Sequence, residues 1–261
     1  MLRRTARLFA LLLGVGLAVA SAQGTFGHIA YGAGWQTTFL VVNQDQANTA
    51  IVSLSFYSDS GAALAPPVNG GAPASIHSFS IPPAGSASIV LPDVGGSAAN
   101  QGWANLEVSN GVAVSGQAIF RQSLGGHPIL EAAVPFSGGS PLCFVSFWGL
   151  APTRSILVPF DNKAGVHVTA LAFANTTSAT LSVPIEFDDP SGSAIATDTL
   201  TLGARNHTAF VSTSRYAATA GKSGVLRITL PNTANAGDLS VLALLADSAA
   251  GTLTTLMPIT Q

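Results

Sequence analysis

The feature that most restricts how this chain can fold is a series of short runs in which every second residue is apolar. Val52, Leu54 and Phe56 alternate with smaller or polar residues, and the same alternation recurs in the second half of the chain. Such alternation is typical of strands that bury one face, whereas a helix repeats its apolar positions about every three to four residues. Beyond residue 22 only a short turn near Ser214–Ala220 fits a helix, so the sequence predicts an all-β fold.

Turn residues separate these runs at intervals that suit a β-sandwich. Clusters of Asp, Asn, Pro, Ser and Gly stand at residues 59–61, 82–85, 189–192 and 235–238. About six or seven strands fit into each half, at the spacing of about 8–12 residues that is typical of sandwiches. We therefore expect two tandem immunoglobulin-like antiparallel β-sandwich domains.

The two halves share residues in the same order, which predicts an internal duplication. Three pairs of residues lie 131 positions apart: Thr38 and Thr169, Phe56 and Phe187, and Gly61 and Gly192. Later matching segments have smaller offsets, as deletions in the loops of a second copy would produce. The predicted organisation is a signal peptide at 1–22, a first sandwich domain at 23–137, a linker and interdomain segment at 138–150, and a second sandwich domain at 151–261.

The first 22 residues have the composition of a secretory signal peptide. Arg3, Arg4 and Arg7 precede an apolar stretch of twelve residues, and Ala20-Ser21-Ala22 is a small-residue cleavage motif. Twelve apolar residues are too few to span a bilayer, which takes about 20. We expect an exported protein of the periplasm, the cell surface or the extracellular space, with no membrane span in the mature chain.

Charged residues are scarce, and this excludes several classes of protein. They make up 8% of the chain, against about 25% in an ordinary soluble domain. Removal of the leader would leave seven Lys and Arg residues against twelve acidic ones, a net charge of −5. Nucleic-acid-binding proteins cluster Lys and Arg on one surface, so we predict no nucleic-acid partner. Few charges also leave strand edges poorly protected, which favours self-association.

Strand-and-turn motifs stand at residues 34–43, 56–61, 102–104, 118–122 and 159–162. Together they resemble those of secreted tandem β-sandwich proteins of bacterial envelopes, most of which are uncharacterised. The resemblance covers most of residues 26–259. It implies an immunoglobulin-like fold and export, and it provides no catalytic residues to transfer to this chain.

The chain offers little material for catalysis, and we predict that it is not an enzyme and holds no cofactor. It has no Gly-x-Ser-x-Gly motif for a nucleophilic serine, and its five histidines are scattered along the sequence. Hydrolases need a nucleophile with its base, or a pair of carboxylates. Twelve acidic residues spread over the chain give few such pairs.

The densest acidic group gives a candidate calcium site in the second half. Glu186, Asp188 and Asp189 stand next to a predicted turn, and Asp161 lies near the start of the same half. Carboxylate oxygens at a loop are ligands that suit Ca²⁺. The alternative, which we favour, is that Glu186 and Asp188 flank Phe187 on the solvent face of a strand and bind no metal.

Tyr31, Trp35 and Trp103 are the candidate ligand-binding residues. Aromatic rings exposed on a β-sandwich can stack on the apolar face of a sugar ring, while polar neighbours bind its hydroxyl groups. The alternative, which we favour, is that the tryptophans pack in the core or at the end of the sandwich, because Trp35 and Trp103 match Val166 and Val225 in the second half.

These patterns predict a secreted, non-catalytic structural or adhesion-type interaction protein of the bacterial envelope or extracellular space. Its partner would be a protein or a polysaccharide at the cell surface. The alternative function is that of a pair of carbohydrate-binding modules that use exposed aromatic residues.

Overall fold

The computed structural model describes residues 22–124, 127–138, 155–235 and 237–261, and within these ranges the chain is all-β with antiparallel sheets. The all-β prediction is therefore confirmed. The predicted leader up to residue 21 and the predicted interdomain segment from residue 139 onward lie outside the described residues and stay predictions. Among the described residues, no helix has the length and apolar character needed to cross a bilayer.

Eight strands form the described part of the first half. They are β1 (Ala22–Tyr31), β2 (Trp35–Asn43), β3 (Ala50–Ser58), β4 (Ile76–Ile81), β5 (Ser86–Leu91), β6 (Asn100–Val108), β7 (Val114–Leu124) and β8 (His127–Gly138).

Nine strands and two short helical turns form the described part of the second half. They are β9 (Ser155–Asp161), β10 (His167–Asn175), β11 (Leu181–Asp188), β12 (Ala194–Leu202), β13 (His207–Val211), α1 (Ser212–Arg215), a 3₁₀ turn (Ala217–Thr219), β14 (Ser223–Thr229), β15 (Leu239–Asp247), β16 (Thr252–Leu256) and β17 (Ile259–Thr260). The helical turns overlap the region in which the sequence predicts one.

The strands of the first half form one sheet that folds back on itself. Its strand order is β4-β3-β6-β1-β8-β7-β2-β5. The two arms of the sheet are joined by a short pairing of β1 with β8, in which Gly24–Phe26 meet Phe136–Gly138. The arms face each other, since the ring of Phe26 on β1 lies 4.9 Å from that of Phe39 on β2. The side chains between the arms form the first core.

The second half has the same pairing order, with a separate sheet for each arm. The two sheets are β12-β11-β14-β9-β17 and β13-β10-β15-β16. β17 pairs with β9 as the end of β8 pairs with β1. In an immunoglobulin domain the first two strands are neighbours in one sheet, whereas here β1 and β2 lie in different arms. The immunoglobulin-like arrangement is therefore not confirmed.

A buried threonine makes the same two hydrogen bonds in each half. The hydroxyl of Thr37 donates to the carbonyl oxygen of Ala30 at 2.7 Å and accepts from the N–H of the same residue at 3.1 Å. The hydroxyl of Thr169 donates to the carbonyl oxygen of Asp161 at 3.0 Å and accepts from the N–H of Asp161 at 2.9 Å. Thr169 thus makes the two hydrogen bonds that Thr37, the neighbour of Thr38, makes in the first half.

The sheet β13-β10-β15-β16 is covered on both faces. Leu171 and Phe173 of β10 belong to the second core, while Ala172 of β10 and Leu244 of β15 belong to the first core. Strands buried on both faces are near-continuous apolar runs rather than alternating ones, and β10 and β15 have this character. We call the contact of this sheet with the first half the junction.

Candidate functional site

A polar cleft of about 480 Å³ lies at the junction and is lined by both halves. The rings of Tyr57 and Trp103 stack in it with their centres 4.6 Å apart. The guanidinium carbon of Arg205 lies 5.3 Å from the centre of the Tyr57 ring. Glu107 and Thr177 also line the cleft. Aromatic, carboxylate and guanidinium groups thus converge on one opening.

The structure does not gather the three predicted aromatic residues into one exposed row. Trp103 is 1% exposed, and its indole N–H donates to the carbonyl oxygen of Arg205 at 2.8 Å. Tyr31 is also buried. Trp35 is half-buried and packs on Phe120 at a ring distance of 5.5 Å. The partly exposed ring at the cleft belongs instead to Tyr57, which stacks on the buried ring of Trp103.

Asp188 is buried, so the prediction that it lies on a solvated strand face is wrong. Its side chain is 4% exposed and pairs with Arg227 at 3.1 Å. The ladder between β11 and β12 shifts register between Phe187 and Asp188, which breaks the simple alternation expected there. Glu186, two residues earlier, is half-buried. Oδ1 of Asp188 has no hydrogen-bond partner among the described residues.

The other calcium candidates are engaged in local bonds. Oδ2 of Asp161 lies 2.7 Å from Nδ1 of His167. Asp189 accepts hydrogen bonds from the backbone N–H groups of Ser191 and Ser193 and closes its own turn. In the described part of the chain, no three His, Cys, Asp or Glu residues are grouped as metal ligands. The four acidic candidates are therefore not brought together at one point.

A bulge in β1 directs His28 into the junction. The register of β1 against β6 shifts between Phe26 and Ile29, so Gly27 and His28 share one place in the ladder. Bulges of this kind re-aim a side chain. Gly27 also allows a close approach of β1 to β15, since a Cβ atom there would lie 2.5 Å from Oγ of Ser240.

His28, His207 and Asp59 form a hydrogen-bonded chain across the junction, which we call the histidine network. Nδ1 of His28 lies 3.1 Å from Nε2 of His207, and Nδ1 of His207 lies 2.7 Å from Oδ1 of Asp59. The backbone N–H of His207 also donates to the carbonyl oxygen of Asp59. Because an ionised carboxylate only accepts hydrogen bonds, Nδ1 of His207 carries a proton.

The surroundings of the network set the charge of His28. The pKa of His28 is lowered to about 3. Burial is the largest cause, the electrostatic effect of His207 also lowers the pKa, and that of Asp59 opposes them. His28 is therefore neutral near pH 7. The hydrogen bond from His207 holds the pKa of Asp59 below its usual value, against the opposing effect of partial burial. The network thus links the neutral imidazole of His28, through His207, to the carboxylate of Asp59 at the junction.

A second cavity of about 380 Å³ lies beside His28, and we call it the apolar cavity. Trp35 and Phe120 line it from the first half, and Phe210 and Leu244 line it from the second. Phe120 meets the His28 ring edge to face at 5.5 Å. His28 therefore joins the network on one side to the cavity on the other.

The histidine network could not be found from sequence. His28 and His207 are 179 residues apart, and nothing in the sequence indicates that two histidines so far apart are in contact. The available signal was a polar His28 between Gly27 and Ile29 in an otherwise apolar run. That pattern does not name a partner.

Comparison with known proteins gives no family. No protein-family model matches this chain, and a search of curated proteins finds no match. We therefore infer its function from the cleft, the network and the cavity.

Proposed function

We propose that this chain is a secreted, non-catalytic structural or interaction protein of the bacterial envelope or extracellular space. The observation that carries the proposal is the bonding across the junction. Besides the histidine network, the indole of Trp103 donates to Arg205, and the hydroxyl of Thr255 donates to the carbonyl oxygen of Ala133 at 2.5 Å. These polar side chains bind one half of the chain to the other, which supports a structural or interaction role.

We further propose that the chain arose by duplication of one sandwich unit. The common pairing order of the two halves supports this. So do Asn43 and Asn175, which lie at the ends of β2 and β10 and each donate from Nδ2 to three backbone carbonyl oxygens. Two such units in one chain suit a protein that presents surfaces rather than one that turns over a substrate.

A second candidate function, carbohydrate binding, is favoured by the polar cleft. Tyr57 offers a partly exposed ring, and Trp103 supports it from behind. Glu107 and Arg205 supply an acceptor and donors beside the ring. Sugar sites combine an aromatic face with polar groups that meet hydroxyls. On this alternative, Tyr57 would be the contact residue instead of the buried Trp103.

A retention assay separates the two functions. Purified residues 23–261 would be tested for sedimentation with isolated bacterial envelopes and with insoluble polysaccharides, as wild type, as Tyr57→Ala and as an Ile76→Ser control on the exposed edge strand β4. Envelope retention that survives Tyr57→Ala supports the interaction protein. Polysaccharide retention that Tyr57→Ala abolishes and Ile76→Ser preserves supports carbohydrate binding. Retention by neither material contradicts both functions.

A further inference from the structure

His28 has a ring nitrogen that no described residue uses. Its Nδ1 is bonded to His207 at 3.1 Å, and its Nε2 has no hydrogen-bond partner in the described part of the chain. The residue is 9% exposed, and it lines the apolar cavity. In the described part of the chain, Oδ1 of Asp188 is the one side-chain oxygen or nitrogen that is both fully buried and without a partner. Nε2 of His28 is therefore open to the cavity and free to bind a molecule there.

The rest of the described cavity wall is apolar. Apart from His28 and the exposed Gln101, its lining consists of side chains without polar groups, except for the indole of Trp35. Its volume of about 380 Å³ falls within the roughly 300–1,000 Å³ of small-molecule sites. Such sites combine apolar walls with a few placed polar groups that orient the ligand. The cavity has this design, with Nε2 of His28 as the orienting group.

The histidine network determines what the ligand must offer. Asp59 accepts a hydrogen bond from Nδ1–H of His207, so the other nitrogen of His207, Nε2, either accepts from His28 or donates to it. In the first case Nε2 of His28 is an acceptor, and in the second it is a donor. A hydroxyl group both donates and accepts, so it satisfies Nε2 of His28 in either case.

We propose that the apolar cavity binds a small apolar molecule that carries one hydroxyl group, with that hydroxyl hydrogen-bonded to Nε2 of His28. This site is separate from the polar cleft, and the proposal does not rest on the proposed function. Charged molecules are excluded, because the described cavity wall holds no ionised group to compensate their desolvation.

Equilibrium dialysis of residues 23–261 with 4-butylphenol and with 4-butyltoluene tests the proposal. The two molecules have similar shape, and a methyl group replaces the hydroxyl in the second. We expect saturable binding of one phenol per chain, at least about tenfold tighter than that of the toluene, which corresponds to one hydrogen bond of about 1.4 kcal/mol. In His28→Phe we expect this preference to disappear while weak apolar binding of both molecules remains.

A second variant keeps the test decisive where His28→Phe fails to fold. Leu253→Trp puts a large ring into the cavity from a residue that is not part of the histidine network, and Ile259→Trp adds the same ring on an exposed strand outside the cavity. We expect Leu253→Trp to lose both molecules and Ile259→Trp to keep them. Equal affinity of the wild type for the phenol and the toluene overturns the proposal. The absence of saturable binding of the phenol to the wild type also overturns the proposal.

Discussion

Acid should weaken this fold through His28 well before it protonates the carboxylates. The folded state keeps His28 neutral, with a pKa of about 3, while the unfolded chain takes up a proton near the ordinary value of 6.5. Below pH 6.5 the unfolded state therefore binds more protons, and the free energy of unfolding falls by about 1.4 kcal/mol for each pH unit. Because the unfolded histidine is half protonated at pH 6.5 and the folded one at about pH 3, the loss is about 2 kcal/mol between pH 6.5 and 4.5 and about 4 kcal/mol by pH 3.

Urea unfolding measured at a series of pH values from 7 to about 4.5 tests this reasoning. In that window Asp59, whose pKa lies below its usual value of 3.8, stays ionised and adds no slope. His28→Phe removes the titrating group and keeps a ring of similar size, so its stability should fall less with acid than that of the wild type. His77→Gln, on the edge strand β4, is the control for a histidine outside the network. Parallel slopes for the wild type and His28→Phe would refute the reasoning, because His28 would then be protonated in the folded state.

Three further predictions concern stability, each measured by urea unfolding. Trp103→Phe removes the indole hydrogen bond to Arg205 across the junction and should cost about 1–1.5 kcal/mol. Arg227→Met leaves the buried Asp188 carboxylate without its counter-charge and should cost about 2–3 kcal/mol, less than for a fully buried pair because the arginine is partly exposed. Gly102→Ala puts a Cβ atom 1.9 Å from a backbone carbonyl oxygen of β3, and the backbone shift that it forces should cost at least about 2 kcal/mol. A loss below about 0.5 kcal/mol in any of the three would contradict the corresponding contact.

The strands that pack on one core were predictable from alternation. Val52, Leu54 and Phe56 are all buried, and their neighbours on β3 are exposed or half-buried. The strands that face two cores were harder to predict, because β10 and β15 are apolar on both faces and show no clean alternation. Their sequences 170–174 and 239–246 reflect a tertiary arrangement that a local pattern does not contain.

The candidate sites were less predictable than the fold, because each depends on register or on contacts between distant residues. A one-residue shift in a ladder reverses which face a side chain occupies. A register shift beside Asp188 buries this side chain, although the alternation along β11 predicts that it is exposed. A second shift, in β1, turns His28 into the junction. The match of Trp103 with Val225 favoured a core position, and Trp103 is 1% exposed. The acceptor of its indole N–H, the carbonyl oxygen of Arg205 in the other half, could not be found from sequence.

The acid response and the proposed ligand are linked through the same nitrogen of His28. A proton on Nε2 and a hydroxyl that donates to Nε2 cannot be present together, so each opposes the other. A ligand that binds the folded state alone raises the free energy of unfolding by an amount that grows with its concentration. Where the ligand donates to His28, this gain must be larger at pH 7 than at a pH where His28 is protonated. Acidification would then both weaken the junction and release the ligand, because both effects depend on one buried imidazole that the fold keeps neutral.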